Sequence, residues 1–445
     1  MKIRNRINNF LEKRDISNSL LLSIIIALPA LFLLVNNYPY LMILSIILII
    51  LLGIIFFLIK PAIIILNSVT LSILIIIYIY FFFSYLYSAQ PFSSILTYDF
   101  FKKDGSFFFC YILFFIIAIP FFNYKKTINL FFNFLFITFS IFSIFGIVEY
   151  LTGKTSITLS VDPGKGKIFT ALNFAHNATG SVYAVVSLFA LIFFLNESKK
   201  KIKFLYLIVL ITCIAGLFIT KSMGTYIGFI VALIPVLWMN YRKIKNFLIA
   251  ISIFIVASIP FIYLLGIYKR IIQIISFSSL NKNSGLYTTV IRLELWKKAW
   301  YLFLKSPIFG IGFGRFNDID PYNYHRLKGL PGILSLYTDS NFVFSASTAH
   351  NSYLQFLAET GIVGLGLLIL FWVLCYRIIY KAYNFSANIY YKRIYLCALA
   401  SIIALFVMSF TENYLSAITI MICVSMLTSL SMGLHWQEKK GCLAP

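Results

Sequence analysis

The sequence is poor in charged residues and poorest in acids. Of its 445 residues only 11% are charged, and just 14 are Asp or Glu. Soluble globular chains have roughly 25% charged residues, whereas hydrophobic residues here reach 61%. This composition excludes a soluble enzyme, a disordered chain and a disulfide-stabilised secreted protein. It predicts an all-α polytopic membrane protein, because lipid offers no hydrogen-bond partners to an open backbone.

Residue types that bind metals are also scarce. The chain has 4 His and 6 Cys, and the cysteines do not show the spacing of a metal site. We therefore expect no metal and no cofactor. A formal net charge of +23 could indicate nucleic-acid binding in a soluble protein. Here we expect no nucleic acid, because the cytoplasmic loops of membrane proteins are rich in Lys and Arg.

Long apolar runs are abundant, and twelve of them can cross a hydrocarbon core of about 30 Å. The alternation of Lys and Arg between these runs predicts that both termini are cytoplasmic. The twelve predicted spans cover roughly residues 19–35, 40–59, 62–83, 106–122, 128–150, 171–195, 204–220, 225–240, 247–267, 353–376, 394–411 and 414–434.

One outside segment, residues 268–352, is much longer than the other connections. Long loops are uncommon unless they are functional. The chain therefore divides into a membrane domain with spans one to nine (1–267), this partly helical loop, and a membrane domain with spans ten to twelve and a cytoplasmic tail (353–445).

The long loop contains a predicted amphipathic helix. Apolar residues recur in it at three- and four-residue steps: Leu293, Trp296, Trp300 and Phe303. In one interpretation the helix lies on the outer membrane surface with Arg292 turned toward a lipid headgroup. In the other it is a packing helix with solvated cations, and we expect Lys298 to be one of these.

A glycine-rich stretch follows that helix. Pro307 ends the helix, and Gly310, Gly312 and Gly314 permit unusual backbone angles. One interpretation is a tight turn. The other is a turn whose backbone faces an anion near Arg315.

His350 stands where the loop enters span ten. Asn351, Gln355 and Glu359 follow at steps of four residues, which places them on one face of a helix. Ionisable groups at membrane depth usually mark function. Imidazoles titrate near neutral pH, which suits proton transfer. The alternative is that His350 only caps the helix at the interface.

Two further polar spots lie on the same predicted side. His176 and Asn177 open span six, and Lys221 with Ser222 joins spans seven and eight.

The loop motifs resemble the bacterial O-antigen ligase/polymerase superfamily. The resemblance rests on Arg292 with Trp296, KSPIFGIG at 305–312, AHNSYL at 349–354 and ETGIVG at 359–364. It implies transfer of a glycan from an undecaprenyl-diphosphate carrier to an acceptor hydroxyl at the periplasmic face of the inner membrane. It also implies that no metal or nucleotide sugar takes part.

The first choice within this superfamily is an O-antigen ligase, whose acceptor is lipid A–core. Alternatives are the polymerase that extends lipid-linked repeats and a glycosyltransferase that acts on protein. A transporter would also fit twelve spans in contact with membrane lipids. Transporters, however, tend to show inverted repeats, and here no repeat is found and the polar groups gather at one face.

The resemblance also implies roles for individual residues. Arg292 would bind the carrier diphosphate, and His350 would assist the acceptor or the leaving group. The expected substrate contacts are Lys221, Arg315, Asn351, His176, Asn177 and Glu359.

The sequence departs from the family at the start of span eight. The family's Ser-Arg-Gly is Ser222-Met223-Gly224 here. Lys221 could supply the cation, but in a helix it would lie about 200° from position 223.

Overall fold

The structure is a computed structural model, and it describes the chain in several ranges. The predicted spans at 19–35, 40–59 and 106–122 lie outside these ranges, and so does most of the loop between 317 and 347. The described residues are 68–87, 125–153, 159–162, 166–170, 176–241, 243–264, 268, 272, 285–316 and 348–439.

Helices dominate the described part of the chain. In chain order the elements are α1 (Ser68–Tyr87), α2 (Lys125–Thr152), β1 (Leu159–Asp162), β2 (Gly166–Phe169), α3 (His176–Asn196), α4 (Lys200–Ile219), α5 (Met223–Tyr241), α6 (Ile244–Leu264), α7 (Gly285–Lys305), α8 (Ser352–Phe385), α9 (Ile389–Met408) and α10 (Ile418–Lys439).

Eight of the described helices are long and apolar enough to cross a membrane, so the chain is a multi-pass membrane protein. Each of the other nine predicted spans overlaps one of the described helices. The exception in length is α6, whose apolar part, Ile244–Pro260, is shorter than the other eight.

Helix α3 lies at the centre of the bundle. It packs against α2, α4, α5, α9 and α10. Every residue from Thr179 to Ala190 is buried, as expected for a helix that is apolar on all sides and surrounded by others. Because α3 begins at His176, this central position brings Asn177 to the same end of the bundle as the start of α8.

A short β-hairpin interrupts the otherwise helical structure and was not predicted from the sequence. Strands β1 and β2 pair antiparallel, with Leu159 opposite Phe169. The fully buried Phe169 ring lies 5.3 Å, centroid to centroid, from the Tyr183 ring of α3. It also fills the space beside Gly146, where a Cβ atom would come within 2.5 Å of the ring. The Phe169 side chain therefore anchors the hairpin to the helices.

Helix α7 confirms the helix predicted in the long loop, but its buried face differs from the predicted apolar stripe. Leu295, Ala299 and Leu302 are buried, whereas Leu293 and Trp300 of the predicted stripe are exposed. The helix thus has two apolar faces, one packed on the protein and one open to its surroundings. The surface interpretation describes only the open face, and the packing interpretation describes only the buried one.

The expectation that Lys298 is solvated is wrong. Its side chain is fully buried. The Nζ atom lies 4.5 Å from the centroid of the Phe316 ring, a distance typical of a cation–π interaction. Lys298 therefore helps to hold the chain after α7 against that helix.

Helix α8 is broken near the end that carries His350. Gly361 has non-helical angles, φ 65° and ψ −171°. The break frees backbone groups that the glycine-rich stretch then satisfies. The N–H of Ile362 donates to the Pro307 carbonyl at 2.9 Å, and the N–H of Val363 donates to the Ile308 carbonyl at 3.2 Å.

Hydrogen bonds in the opposite direction complete this exchange. The N–H of Ile311 donates to the Ala358 carbonyl at 3.0 Å, and the N–H of Gly312 donates to the Glu359 carbonyl at 2.9 Å. The two backbones are so close that a Cβ on Gly310 would lie 2.3 Å from the Glu359 carbonyl. Gly310 and Gly361 are therefore needed for the close approach of the two backbones. The broken helix keeps its backbone groups satisfied, as lipid requires.

This exchange predicts that Gly361→Ala destabilises the protein while Gly366→Ala does not. At Gly361 a Cβ would lie 2.2 Å from the Ile308 carbonyl oxygen, and the positive φ alone costs about 1–3 kcal/mol in a non-glycine residue. At Gly366 a Cβ would meet no atom of the described residues within 4 Å, apart from the local backbone of α8. Thermal denaturation of the detergent-solubilised proteins measures both. Equal losses at the two positions would contradict this account of the break.

Candidate functional site

Glu412, between α9 and α10, gathers side chains from three other parts of the chain. Its Oε1 atom accepts hydrogen bonds from Arg292 Nη2 at 3.0 Å and from Asn177 Nδ2 at 2.7 Å. Its Oε2 atom lies 2.7 Å from His350 Nδ1. We use the name carboxylate cluster for these four residues: Asn177, Arg292, His350 and Glu412. It brings together three residues that the sequence predicted for the site.

The cluster is partly accessible. The Glu412 side chain is 15% exposed, whereas those of Arg292 and His350 are 32% and 35% exposed. The carboxylate thus lies beneath two side chains that can still reach a ligand. The lipid headgroup predicted for Arg292 stays a prediction, and its guanidinium contacts this carboxylate.

Glu412 is ionised by its partners. Burial raises the pKa of its carboxyl, but the hydrogen bond and charge of His350, the charge of Arg292 and the hydrogen bond from Asn177 lower it more. The net result is a pKa below the ordinary value of 4.5. The cluster therefore holds a carboxylate at neutral pH.

The carboxylate determines which ring nitrogen of His350 carries a proton. An ionised carboxylate only accepts hydrogen bonds, so Nδ1 must donate to Glu412. In a neutral imidazole this leaves the lone pair on Nε2, the nitrogen that is free to accept a proton. A histidine oriented by a carboxylate in this way is typical of general bases.

Two candidate residues have a backbone conformation that non-glycine residues seldom adopt. His350 has φ 49° and Lys221 has φ 52°. Such left-handed residues cost energy and cluster at functional sites. Lys221 lies in the turn between α4 and α5, so the estimate that it faces away from position 223 round a helix is wrong.

Asn177 links the Lys221 turn to the carboxylate cluster. Its Oδ1 atom accepts from Ser222 Oγ at 2.8 Å, while its Nδ2 atom donates to Glu412. Gly224 packs directly on the segment that carries Glu412, since a Cβ there would lie 1.9 Å from Thr411 Oγ1. The Ser-x-Gly motif thus serves close packing and a hydrogen-bond relay. His176 is the half-buried neighbour of Asn177 at the start of α3.

The start of α8 and the segment around Glu412 are tied together. Asn351 caps α8, its Oδ1 accepting from the N–H of Leu354 at 3.1 Å. Ser352 Oγ donates to the Glu412 carbonyl at 3.0 Å and accepts from the N–H of Leu415 at 3.2 Å. These bonds fix the backbone on both sides of the contact between His350 and Glu412.

The predicted polar stripe of α8 exists, but its far end has a structural role. Gln355 Nε2 donates to Glu359 Oε1 at 3.1 Å, and Gln355 Oε1 accepts from Asn413 Nδ2. Glu359 is buried and accepts from the N–H of Phe316 at 3.2 Å. Glu359 therefore supports the glycine-rich stretch rather than lying among the cluster residues.

Backbone hydrogen bonds favour a tight turn over an anion-facing turn in that stretch. The N–H groups of residues 310–313, 315 and 316 all donate to protein acceptors. Arg315 belongs to this turn, and its N–H donates to the Gly312 carbonyl at 3.3 Å. The stretch is a tight turn, the other interpretation offered above.

Glu412 is the residue that sequence reasoning missed. The available signal was an acid among only 14 in the chain, placed between spans eleven and twelve on the same predicted side as His350. Among the described residues, no group of three His, Cys, Asp or Glu side chains could hold a metal ion. The described cysteines, Cys213, Cys375, Cys397 and Cys423, are buried free thiols.

The lowered pKa of Glu412 predicts how the cluster responds to acid. A carboxyl with a depressed pKa stabilises the fold above its ordinary value of 4.5, and this contribution is lost as the pH falls through the folded pKa. Glu412→Gln should therefore lower the apparent Tm near neutral pH, with a difference that shrinks below pH 4.5. Ser352→Ala, which removes only neutral hydrogen bonds, should give a loss that does not depend on pH. A constant difference for Glu412→Gln would contradict the ionised cluster.

Comparison with known proteins bears on residues 208–369, which match the family model described as O-Antigen ligase. The match confirms the resemblance of the loop motifs to the O-antigen ligase/polymerase superfamily. It covers Arg292 and His350, whereas Asn177 and Glu412 lie outside it. A search of curated proteins finds no match.

Proposed function

We propose that the chain is an O-antigen ligase, because residues 208–369 match the family model described as O-Antigen ligase. In this proposal it transfers a glycan from an undecaprenyl-diphosphate carrier to lipid A–core. The reaction takes place at the periplasmic face of the bacterial inner membrane, with both termini in the cytoplasm. The family match supports a membrane glycosyltransferase of ligase or polymerase type. The donor and the acceptor named here are part of the proposal.

The carboxylate cluster is the observation that carries the proposal. Arg292 and His350 come from opposite ends of the long loop, 58 positions apart, yet both contact the same carboxylate. A cation and an oriented imidazole are what transfer from a diphosphate donor to a hydroxyl acceptor requires. The described polar partners of this cluster lie at one end of the bundle, which favours chemistry at a membrane face over transport through the middle.

His350 acts on the acceptor in this proposal. Its Nε2 lone pair takes the proton from an acceptor hydroxyl while that oxygen bonds to the anomeric carbon of the donor glycan. Proton transfer to a positioned base contributes about 10²–10⁴ in rate. Glu412 is a positioning residue, because it holds Nδ1 as a donor and stabilises the imidazolium that forms.

Arg292 acts on the leaving group. As the bond between the anomeric carbon and the phosphate oxygen breaks, the carrier diphosphate gains negative charge. A guanidinium offers paired donors to phosphate oxygens, and a cation in a partly water-excluded site stabilises that charge more than it would in water. Lys221, on the turn linked to Asn177, is the second cation that we assign to the donor.

Deletion of the gene tests the proposed activity. Gel analysis of the surface polysaccharide should show complete loss of core that carries O-antigen, and the wild-type gene should restore it. Core bearing a single repeat would instead identify the polymerase that extends lipid-linked repeats. Unchanged polysaccharide would contradict both activities.

His350→Ala should lower turnover by about 10²-fold or more while donor binding stays nearly intact, because the residue acts on the acceptor proton. The assay uses purified protein, lipid-linked donor and acceptor, with donor binding measured separately. His435→Ala is the matched control, because His435 lies near the end of α10 that is farther from Glu412. This variant should keep its turnover. If His350→Ala keeps its turnover and loses donor affinity, the residue contacts the diphosphate and the base assignment is overturned.

A further inference from the structure

One carboxylate serves both halves of the proposed reaction. Glu412 Oε1 accepts from Arg292, assigned to the donor, and Oε2 accepts from His350, assigned to the acceptor. The Arg292 contact is a single hydrogen bond at 3.0 Å between Nη2 and Oε1. The guanidinium therefore keeps N–H groups that do not engage this carboxylate.

We infer that Glu412 holds Arg292 in a resting ion pair that the donor diphosphate must break, so that donor binding releases the carboxylate to His350. This inference rests on the proposed function, since it assigns Arg292 to the donor and His350 to the acceptor. It adds that the two residues do not act independently.

The geometry makes the exchange of partners feasible. A diphosphate offers a guanidinium two parallel charge-assisted hydrogen bonds, whereas Glu412 accepts one from it. When Arg292 turns to the diphosphate, Glu412 is not left unpaired. Asn177 Nδ2 still donates to Oε1 at 2.7 Å, and His350 still donates to Oε2. This avoids the cost of an uncompensated buried charge.

Release of Arg292 also changes the hydrogen bond to His350. With the guanidinium in place, part of the carboxylate charge is neutralised. Without it, that charge acts on the imidazole alone and favours its protonation by the acceptor hydroxyl. Donor binding thereby prepares the base, and the acceptor is activated only when a donor is present.

The inference predicts that weakening the pair tightens donor binding and slows turnover. Glu412→Gln removes the charge that competes for Arg292. Its amide has a single acceptor oxygen, and that oxygen faces the two donors Arg292 and Asn177 when the amide N–H faces His350. The N–H then donates to Nδ1, which leaves the ring proton on Nε2 and removes the base. We expect affinity for undecaprenyl diphosphate in detergent micelles to rise at least about fivefold, within the range of measured couplings between contacting residues. Turnover should fall by about 10²-fold or more.

A double-mutant cycle shows whether the tightening acts through Arg292. In an Arg292→Ala background, Glu412→Gln should change the affinity by less than about twofold. Equal tightening in both backgrounds would mean a general effect of the negative charge, and no tightening would mean no resting pair. Either result overturns the inference.

Two further proteins make the test decisive. Glu412→Asp keeps the charge but is one methylene shorter, so its contact with Arg292 is weakened and donor binding should tighten. This variant replaces Glu412→Gln in the test if Glu412→Gln does not fold. Glu197→Gln is the matched control. It disrupts another Arg–Glu pair, with Arg393 Nη1 at 3.2 Å from Glu197 Oε2, beyond the far end of α3. Its donor affinity should not change.

The wild-type measurement separates this inference from the proposed function. Wild-type protein that fails to bind undecaprenyl diphosphate and fails to transfer glycan would overturn the proposed function. Wild-type protein that binds and transfers, with Glu412→Gln and Glu412→Asp showing unchanged affinity, would overturn only the coupling between the two residues.

Discussion

The described site depends on one buried carboxylate that must find enough donors. An ionised Glu412 without partners would be strongly destabilising in a protein interior. The fold meets this demand with donors from α3, from α7 and from His350, two residues before α8 begins. Residues far apart in the sequence are thereby held at fixed distances from one another. Desolvation and pairing at a single side chain thus give the site its geometry.

A second constraint, the need to satisfy backbone groups, shapes the region beside this cluster. The break at Gly361 leaves carbonyl and N–H groups of α8 without helical partners, and the turn after α7 supplies both kinds. The turn and the helix therefore form one unit, which fixes where α7 ends. Because Arg292 lies on α7, the backbone exchange at the break helps to determine how that helix presents its cation.

The sequence predicted the helices well, because long apolar runs allow few other structures in lipid. The count of spans also predicted that Arg292, His350 and Asn177 lie on the same side of the membrane. It could not predict the role of Glu412, since an acid beside a membrane boundary can equally be a solvated group. The choice depends on contacts that the segment between α9 and α10 makes with α3 and α7, and no local pattern encodes these contacts.

The same limit explains the errors in the long loop. Periodicity showed that α7 is amphipathic, but a helix with two apolar faces gives no indication of which one packs on the protein. The burial of Lys298 depends on Phe316, a residue beyond the end of the helix. The glycines at 310, 312 and 314 signalled special backbone angles correctly. The use of those angles, to approach a broken helix, is a tertiary property.

The left-handed backbone of His350 and Lys221 has an implication for how this chain can be altered. Glycine would adopt these angles without strain, so glycine is the residue that costs least backbone strain at both positions. Selection for stability alone would favour glycine at these positions, and the protein would then lose the imidazole and the ammonium group. Stability and the chemistry of these side chains therefore favour different residues here. Efforts to stabilise this protein by substitution should therefore leave both positions unchanged.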